Sequence, residues 1–245
     1  MIETRETAIV LVGGLGSRLG SLTADLPKPM LPVGGRPFVE YIVIQLRRSG
    51  IREIVFATGY RSERLREHFQ SGDRFGVAIR YSEEDAPLGT GGAIRLAAEM
   101  VKADRFLVLN GDSFLDADPR SVLDTVRDGI MVSMALTNIA GSSRYGSVEQ
   151  ASDGTIIRFA PHGKSAGLSA INAGIYGARR ELIDLIPKDG PCSLEHDVLP
   201  GLAGHGLLGL NLSGFFIDIG VPETYRELGA DPSPLLKALD VDVVT

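Results

Sequence analysis

Immediately after the apolar run Ala8-Ile9-Val10-Leu11-Val12, the chain reads VGGLGSRLGSLTADLPKPMLPVGGRP from Val12 to Pro37. An unbroken apolar run bounded by glycines predicts a buried first strand. The loop that follows carries glycines at 13, 14, 16 and 20, an arginine at 18, and a lysine at 28 between two prolines. Glycines let backbone N–H groups approach an anion closely, and two cations add neutralising charge. A ligand with several phosphates fits this combination.

Three glycine-rich phosphate-binding designs compete for it. A P-loop needs G-x-x-x-x-G-K-[ST]; Gly163-Lys164-Ser165 is the only Gly-Lys-Ser, and its first glycine position holds Arg158. A dinucleotide fold needs G-x-G-x-x-G and an acid closing the second strand. Here Leu19 stands at the third glycine, and Ile54–Thr58 runs into Gly59-Tyr60 without a carboxylate. The third design, G-G-x-G-x-R-L with P-K-P about ten residues on, fits without a gap.

Gly13-Gly14-Leu15-Gly16-Ser17-Arg18-Leu19 followed by Pro27-Lys28-Pro29 resembles the nucleotidyltransferases that make nucleoside-diphosphate sugars, the sugar-1-phosphate pyrophosphorylases. The resemblance runs from about residue 8 to 228. It implies an α/β fold: a Rossmann-like, mostly parallel or mixed sheet flanked by helices (GT-A-like), with a small β-rich sugar-binding part.

The order of elements agrees with that class. A helix is predicted from Pro37 to Ser49-Gly50, a strand at Ile54–Ala57, a helix at Ser62–Phe69, and a strand at Val77–Tyr81. A broad-faced helix over Gly89–Ala103 and the apolar strand Phe106–Leu109, ending in Asn110-Gly111-Asp112, complete four strand–helix units. Beyond residue 130 the pattern turns β-rich. Strands are expected at Ile130–Leu136, Ser147–Gln150, Thr155–Phe159 around Asp153-Gly154, and Ser169–Tyr176. Short helices at Arg179–Ile186 and Leu194–Leu202, a hairpin-like pair at Leu207–Leu210 and Phe215–Ile219, and a helical region over Pro222–Leu239 follow. A single domain over 1–245 is expected: a nucleotide-binding half to about 130, a sugar-binding half over 131–230, and a tail over 231–245.

Composition narrows the function. A net charge of −6 argues against a nucleic-acid binder, and the lone Cys192 excludes an intrachain disulfide or a Cys-cluster metal site. His162, His196 and His205 lack metal-ligand spacing. With no signal-like segment and no apolar run near membrane-span length, no membrane partner is expected and a cytoplasmic location is the default.

The reaction implied by the resemblance is attack of a sugar 1-phosphate on the α-phosphorus of a nucleoside triphosphate, with pyrophosphate leaving. Its nucleophile is already ionised, so it needs cations and positioned amides rather than a base. By resemblance, Arg18 meets the triphosphate or pyrophosphate and Lys28 bridges the reacting phosphates. Val12, Gly13, Gly14, Gly16, Asn110 and Gly111 line the nucleotide, and Glu84, Gly89 and Thr90 of Tyr81–Ala93 face base and ribose. Glycines opening the helix at 89 are expected to turn free N–H groups into the pocket. Asp112 at a strand end and Asp218 in Phe216-Ile217-Asp218-Ile219-Gly220 are candidate Mg²⁺ ligands, a hard ion taking one or two carboxylates plus phosphate. Asp116 and Asp118 form a D-x-D, but Asp118 before Pro119 is expected to cap a helix.

Asn172 would bond sugar hydroxyls. Relatives carry a Glu-Lys pair ahead of that strand; this chain reads Phe159-Ala160-Pro161-His162-Gly163-Lys164, making Lys164 the nearest match with no glutamate. Arg144 and Gly146 in Arg144-Tyr145-Gly146 add a second phosphate-directed cation. The runs Pro87-Leu88-Gly89-Thr90-Gly91-Gly92-Ala93, Arg144-Tyr145-Gly146 and Phe216-Ile217-Asp218-Ile219-Gly220-Val221-Pro222-Glu223 look most like the D-glycero-α-D-manno-heptose 1-phosphate guanylyltransferase branch, which implies that GTP is favoured. Uridylyl or thymidylyl transfer to another sugar phosphate is the alternative. A glycosyltransferase would share the α/β front but would not require Arg18 and Lys28. A silent sugar-nucleotide-binding regulator would be expected to lose Lys28, Asp112 or Asp218, and all three are present. A homo-oligomer is left open.

Overall fold

A computed structural model describes residues 6–14, 26–59, 62–139, 146–160 and 169–243. The first apolar run forms β1 (Thr7–Leu11), buried from Thr7 to Val10. After the glycine loop, β2 (Pro32–Val33) and β3 (Arg36–Pro37) pair across Gly34-Gly35, both at positive φ. Helix α1 (Phe38–Arg48) starts at Pro37 and stops at Ser49, with Gly50 at φ 84°. That is the expected proline-in, glycine-out asymmetry. It is followed by β4 (Glu53–Thr58), α2 (Glu63–Phe69), β5 (Ala78–Glu83), α3 (Gly89–Ala98) and β6 (Arg105–Asn110). Four parallel strands result, in the spatial order β6-β1-β4-β5.

Each central strand is apolar on both faces because helices cover both. Ala8, Val10, Ile54, Phe56, Leu107 and Leu109 enter one core with α1 and α2; Ile9, Val55, Ala57, Phe106 and Val108 enter the other with α3. This alternation at period two is why the runs carry no polar residues.

The second half continues the same sheet. After β7 (Ser113–Leu115) and α4 (Pro119–Asp124), capped by Asp118 accepting the Arg120 N–H at 3.0 Å, come β8 (Val132–Ile139), β9 (Ser147–Gln150), β10 (Ile156–Ala160) and β11 (Ser169–Arg179). β11 runs antiparallel to β6 and β8, and β9 and β10 pair antiparallel around Asp153-Gly154 as expected. Residues 180–185 form a 3₁₀ segment, and residues 194–202 a π turn passing into 3₁₀, in place of two regular helices.

The expected hairpin near the C-terminus is not formed. β12 (Leu207–Asn211) joins β8 in parallel, while β13 (Phe216–Asp218) leaves the main sheet and pairs antiparallel with β7. Two neighbouring apolar runs resemble a hairpin in sequence, but each satisfies its backbone against a distant strand. Helices α5 (Pro222–Ala230) and α6 (Ser233–Ala238) divide the terminal helical region at Asp231-Pro232. The strand order turns between β1 and β6, and such a switch point opens a crevice at the carboxyl ends of the strands.

Candidate functional site

Two adjoining cavities occupy that edge. The larger, about 730 Å³, is lined by Gly13, Gly14, Gly59, Glu84, Gly89 and Thr90 among others. The smaller, about 200 Å³, is lined by Gly14, Lys28, Thr90, Asn110, Gly111 and Asp112 among others. Leu11, Gly14 and Thr90 border both. A third cavity of about 840 Å³, lined by Arg95, Asp104, Arg179 and Arg180 among others, lies at the opposite end of β6, and no residue selected from sequence borders it. Size alone therefore does not locate the chemistry.

The glycines serve different ends. A Cβ on Gly13 would stand 2.8 Å from the Gly59 nitrogen, so Gly13 lets two loops touch, whereas a Cβ on Gly14 would meet nothing within 4 Å among the described residues. Gly89 has φ 71°, and a Cβ there would stand 2.5 Å from the Cys192 carbonyl oxygen. That carbonyl also accepts the Gly91 N–H at 2.8 Å and the Gly92 N–H at 3.4 Å. The helix-opening N–H groups of Gly91 and Gly92, expected to face the pocket, are thus used by a loop of the second half. Val12 is buried in the core, donates its N–H to Ala57 O at 3.0 Å, and lines neither cavity.

Glu84 is half-buried at the far end of the larger cavity, where Leu88 N–H donates to its Oε2 at 3.1 Å. Burial raises its carboxyl pKa above the ordinary value, against the opposing pull of that N–H.

Lys28 lies in a 3₁₀ turn, Lys28–Met30, whose backbone Pro27 and Pro29 restrict. Its side chain is 15% exposed and its Nζ donates to Asp112 Oδ2 at 2.9 Å. Asp218 arrives from the far end of the sequence: it pairs with Ser113 across β13 and β7, and Ile219 N–H donates to Asp112 O at 2.9 Å. A Cβ on Gly220 would stand 2.7 Å from Asp218 Oδ1 and 3.4 Å from Lys28 Nζ. Lys28 and Asp112 thus line the smaller cavity, and the strand pairing sets Asp218 opposite Ser113, next to Asp112, although β7 and β13 are about a hundred residues apart in sequence. No group of three or more His, Cys, Asp and Glu side chains gathers among the described residues.

Strand β11 carries Asn172, which lines neither of these two cavities. Gly174, at φ 77°, makes a register break between Asn172 and Tyr176, and Gly174 N–H donates to Asn172 Oδ1 at 2.9 Å. This bulge brings Asn172 Nδ2 to 2.6 Å from Tyr176 OH. Tyr176 OH donates to Glu195 Oε1 at 3.1 Å, and Thr90 Oγ1 donates to Glu195 Oε2 at 2.7 Å. Burial, reinforced by the Glu195 carboxylate, holds the Tyr176 phenol well above its usual pKa. Gly146 adjoins Ser147, which pairs with Ile171 beside Asn172. Arg18, Gly16, Lys164 and Arg144 lie outside the described residues.

Sequence reasoning passed over Tyr176 and Glu195. The usable signal was a Ser-x-Glu polar step, Ser193-Leu194-Glu195, between buried Cys192 and Val198.

Residues 7–231 match the model of the nucleotidyl transferase family, and the chain belongs to that family. It is 37% identical over 221 residues to the D-glycero-alpha-D-manno-heptose 1-phosphate guanylyltransferase of Campylobacter jejuni, covering 89% of this chain and 96% of that protein. It is 33% identical over 240 residues to the mannose-1-phosphate guanylyltransferase of Mycobacterium tuberculosis, covering 94% of this chain and 67% of that protein. The solved structure of HddC from Yersinia pseudotuberculosis complexed with GMP-PN superposes with a TM-score of 0.82 at 28% identity, covering 93% of this chain and all of that one. No helix among the described residues is long and apolar enough to cross a membrane.

Proposed function

We propose that the protein transfers a guanylyl group from GTP to a sugar 1-phosphate, with D-glycero-α-D-manno-heptose 1-phosphate the preferred acceptor, releasing pyrophosphate. The observation that carries this reading is the convergence of Lys28, Asp112 and Asp218 beside a glycine-lined cavity large enough for a nucleoside. The reaction brings two polyanions together; at about 4 Å and an effective dielectric near 20, each pair of unit charges repels by about 4 kcal/mol. Lys28 neutralises part of that charge at the reacting phosphates, and Gly14 lets them approach the backbone. Arg18 acts on the leaving pyrophosphate from the same loop. Glu84 accepts from the N1–H and 2-amino edge of guanine.

Asp112 and Asp218 suit a hard divalent ion, since both are carboxylates at one spot and phosphate oxygens would complete the donor set. Mg²⁺ bound there supplies further neutralisation of the phosphate charge. Asn172 bonds the sugar, with Arg144, Gly146 and Lys164 toward its phosphate.

Relatives named for guanylyl transfer support GTP over UTP or dTTP. For the sugar, coverage supports heptose: the chain matches 95–96% of the length of two heptose-named relatives but 67% of the mannose-named one. The test is pyrophosphate release across a matrix of nucleoside triphosphates and sugar 1-phosphates with Mg²⁺. GTP with the heptose phosphate is expected to be fastest. Release with UTP and an amino-sugar phosphate alone would replace both substrate assignments, and no release with any pair would end the enzyme reading.

A further inference from the structure

Gly220 sits where the lysine turn and the end of β13 come together, and two of its properties bear on the charges there. Its N–H donates to Asp218 Oδ1 at 2.6 Å, which fixes the rotation of that carboxylate. A bond from an N–H to an ionised oxygen is among the stronger ones. Its missing side chain leaves space beside the same oxygen: a Cβ would stand 2.7 Å from Asp218 Oδ1 and 3.4 Å from Lys28 Nζ. The first distance is an overlap and the second an ordinary contact. A methyl group there would displace the carboxylate and cover one side of the ammonium.

The backbone on either side is pinned and does not make the room. Ile219 N–H donates to Asp112 O at 2.9 Å, and β13 pairs with β7 from Phe216 to Asp218. Behind Asp218, the buried Thr224 hydroxyl donates to its carbonyl oxygen at 2.5 Å. Lys28 is held by its flanking prolines, by Leu31 N–H donating to Lys28 O at 3.0 Å, and by its Nζ bond to Asp112. What can yield is the end of the Asp218 side chain, whose rotation costs the fold little.

Gly220 therefore differs from the other glycines near the crevice. Gly89 and Gly111 would strike backbone carbonyl oxygens, and Gly89 also has a positive φ. Gly220 has no positive φ, so alanine fits its backbone, and the three atoms nearest its Cβ position all belong to the side chains of Asp218 and Lys28. We propose that Gly220 is a positioning residue for nucleotidyl transfer: its N–H aims the Asp218 carboxylate, and its lack of a side chain lets Asp218 and Lys28 serve the same phosphates. The proposal rests on the reading of the site as a sugar-1-phosphate guanylyltransferase in which Asp112 and Asp218 hold Mg²⁺. Gly220 itself need not touch substrate.

The experiment compares wild type, Gly220→Ala, Asp218→Asn, the double variant and Gly229→Ala. Gly229 lies on α5, where a Cβ would meet nothing within 4 Å, and is the control. Pyrophosphate release gives kcat, calorimetry without sugar phosphate gives the affinity for GTP with Mg²⁺ and with EDTA, and thermal unfolding is recorded for each. Gly220→Ala is expected to lower kcat about tenfold or more, since misplacing a reacting group by about 1 Å can cost about 10²-fold. It should also lose most of the affinity that Mg²⁺ adds to GTP binding, yet unfold within about 4 °C of wild type. The double variant should be no slower than Asp218→Asn, because both changes act on one carboxylate. Gly229→Ala should match the wild-type rate. Wild-type kcat in Gly220→Ala, an unchanged Mg²⁺ effect, multiplying losses in the double variant, or an equal loss in Gly229→Ala would each overturn the proposal. A larger fall in unfolding temperature would mark a structural glycine and overturn it too. A wild type that releases no pyrophosphate overturns the functional reading and this inference together, whereas an active wild type with an unmoved Gly220→Ala overturns the inference only.

Discussion

Lys28 holds one positive charge where the PKP turn, the end of β6 and the end of β13 meet, with Asp112 2.9 Å away. In the proposed reaction, whose obstacle is phosphate repulsion, that charge would serve as a transition-state contact rather than a structural one. Lys28→Ala is expected to lower kcat about 10²–10³-fold, as loss of one positioned electrostatic donor does, with thermal unfolding still cooperative. Asp112→Asn should do likewise, and near-normal rates in either variant, measured by pyrophosphate release, would remove the residue from the mechanism. Glu84 gives a different prediction. Burial raises its folded-state pKa above the ordinary 4.5, so the folded protein holds that proton more tightly than the unfolded chain. Its contribution to stability is complete below the unfolded value and is lost as pH rises through the folded one. Glu84→Gln cannot ionise, so its Tm relative to wild type should climb between about pH 4 and about pH 7 while GTP affinity falls. A flat Tm difference across that range would refute the burial argument.

The N-terminus of α3 shows how an element built for one half is completed by the other. Cys192 O caps Gly91 and Gly92, Cys192 N–H donates to Leu88 O at 2.8 Å, and Thr90 accepts Leu194 N–H. Gly89 is required twice, by its φ of 71° and by the carbonyl that a side chain would strike. Gly89→Ala is therefore expected to cost roughly 1–3 kcal/mol in denaturant-measured stability, the range for a strained left-handed backbone, and to weaken nucleotide binding in parallel. A stability change below about 0.5 kcal/mol, ordinary for a surface substitution, would mean the loop does not seat there. Sequence showed that glycines open this helix, because glycine clusters and helix starts are local signals. It did not show what the glycines meet, since Cys192 lies more than a hundred residues away and nothing local marks it as a partner. Tyr176 and Glu195 escaped for the same reason: they read as an ordinary strand residue and an ordinary helix residue until the Gly174 bulge and the π turn bring them together.

Across the molecule, the parallel half was legible because strands buried on both faces carry unbroken apolar stretches, as in AIVL of β1 and FLVL of β6. The mixed half was legible as strands but, apart from the β9–β10 hairpin, not as pairings. Leu207–Asn211 and Phe216–Asp218 look like a hairpin, yet join β8 and β7, because register is set by which distant face needs covering. That departure matters for function, since the β13–β7 pair carries Asp218 to Asp112. The fold thus brings Gly13 and Gly14, a lysine turn and two strand-end carboxylates to the same end of the sheet, and the proposed function requires that crevice to cut GTP between its α- and β-phosphates. The most direct measurement follows radiolabelled GTP in the presence of sugar 1-phosphate and Mg²⁺. Label at the α-phosphorus should appear in the nucleotide sugar and label at the γ-phosphorus in pyrophosphate, in equal amounts. Label from the γ-position in orthophosphate or on the sugar would mean hydrolysis or phosphoryl transfer, and would contradict it.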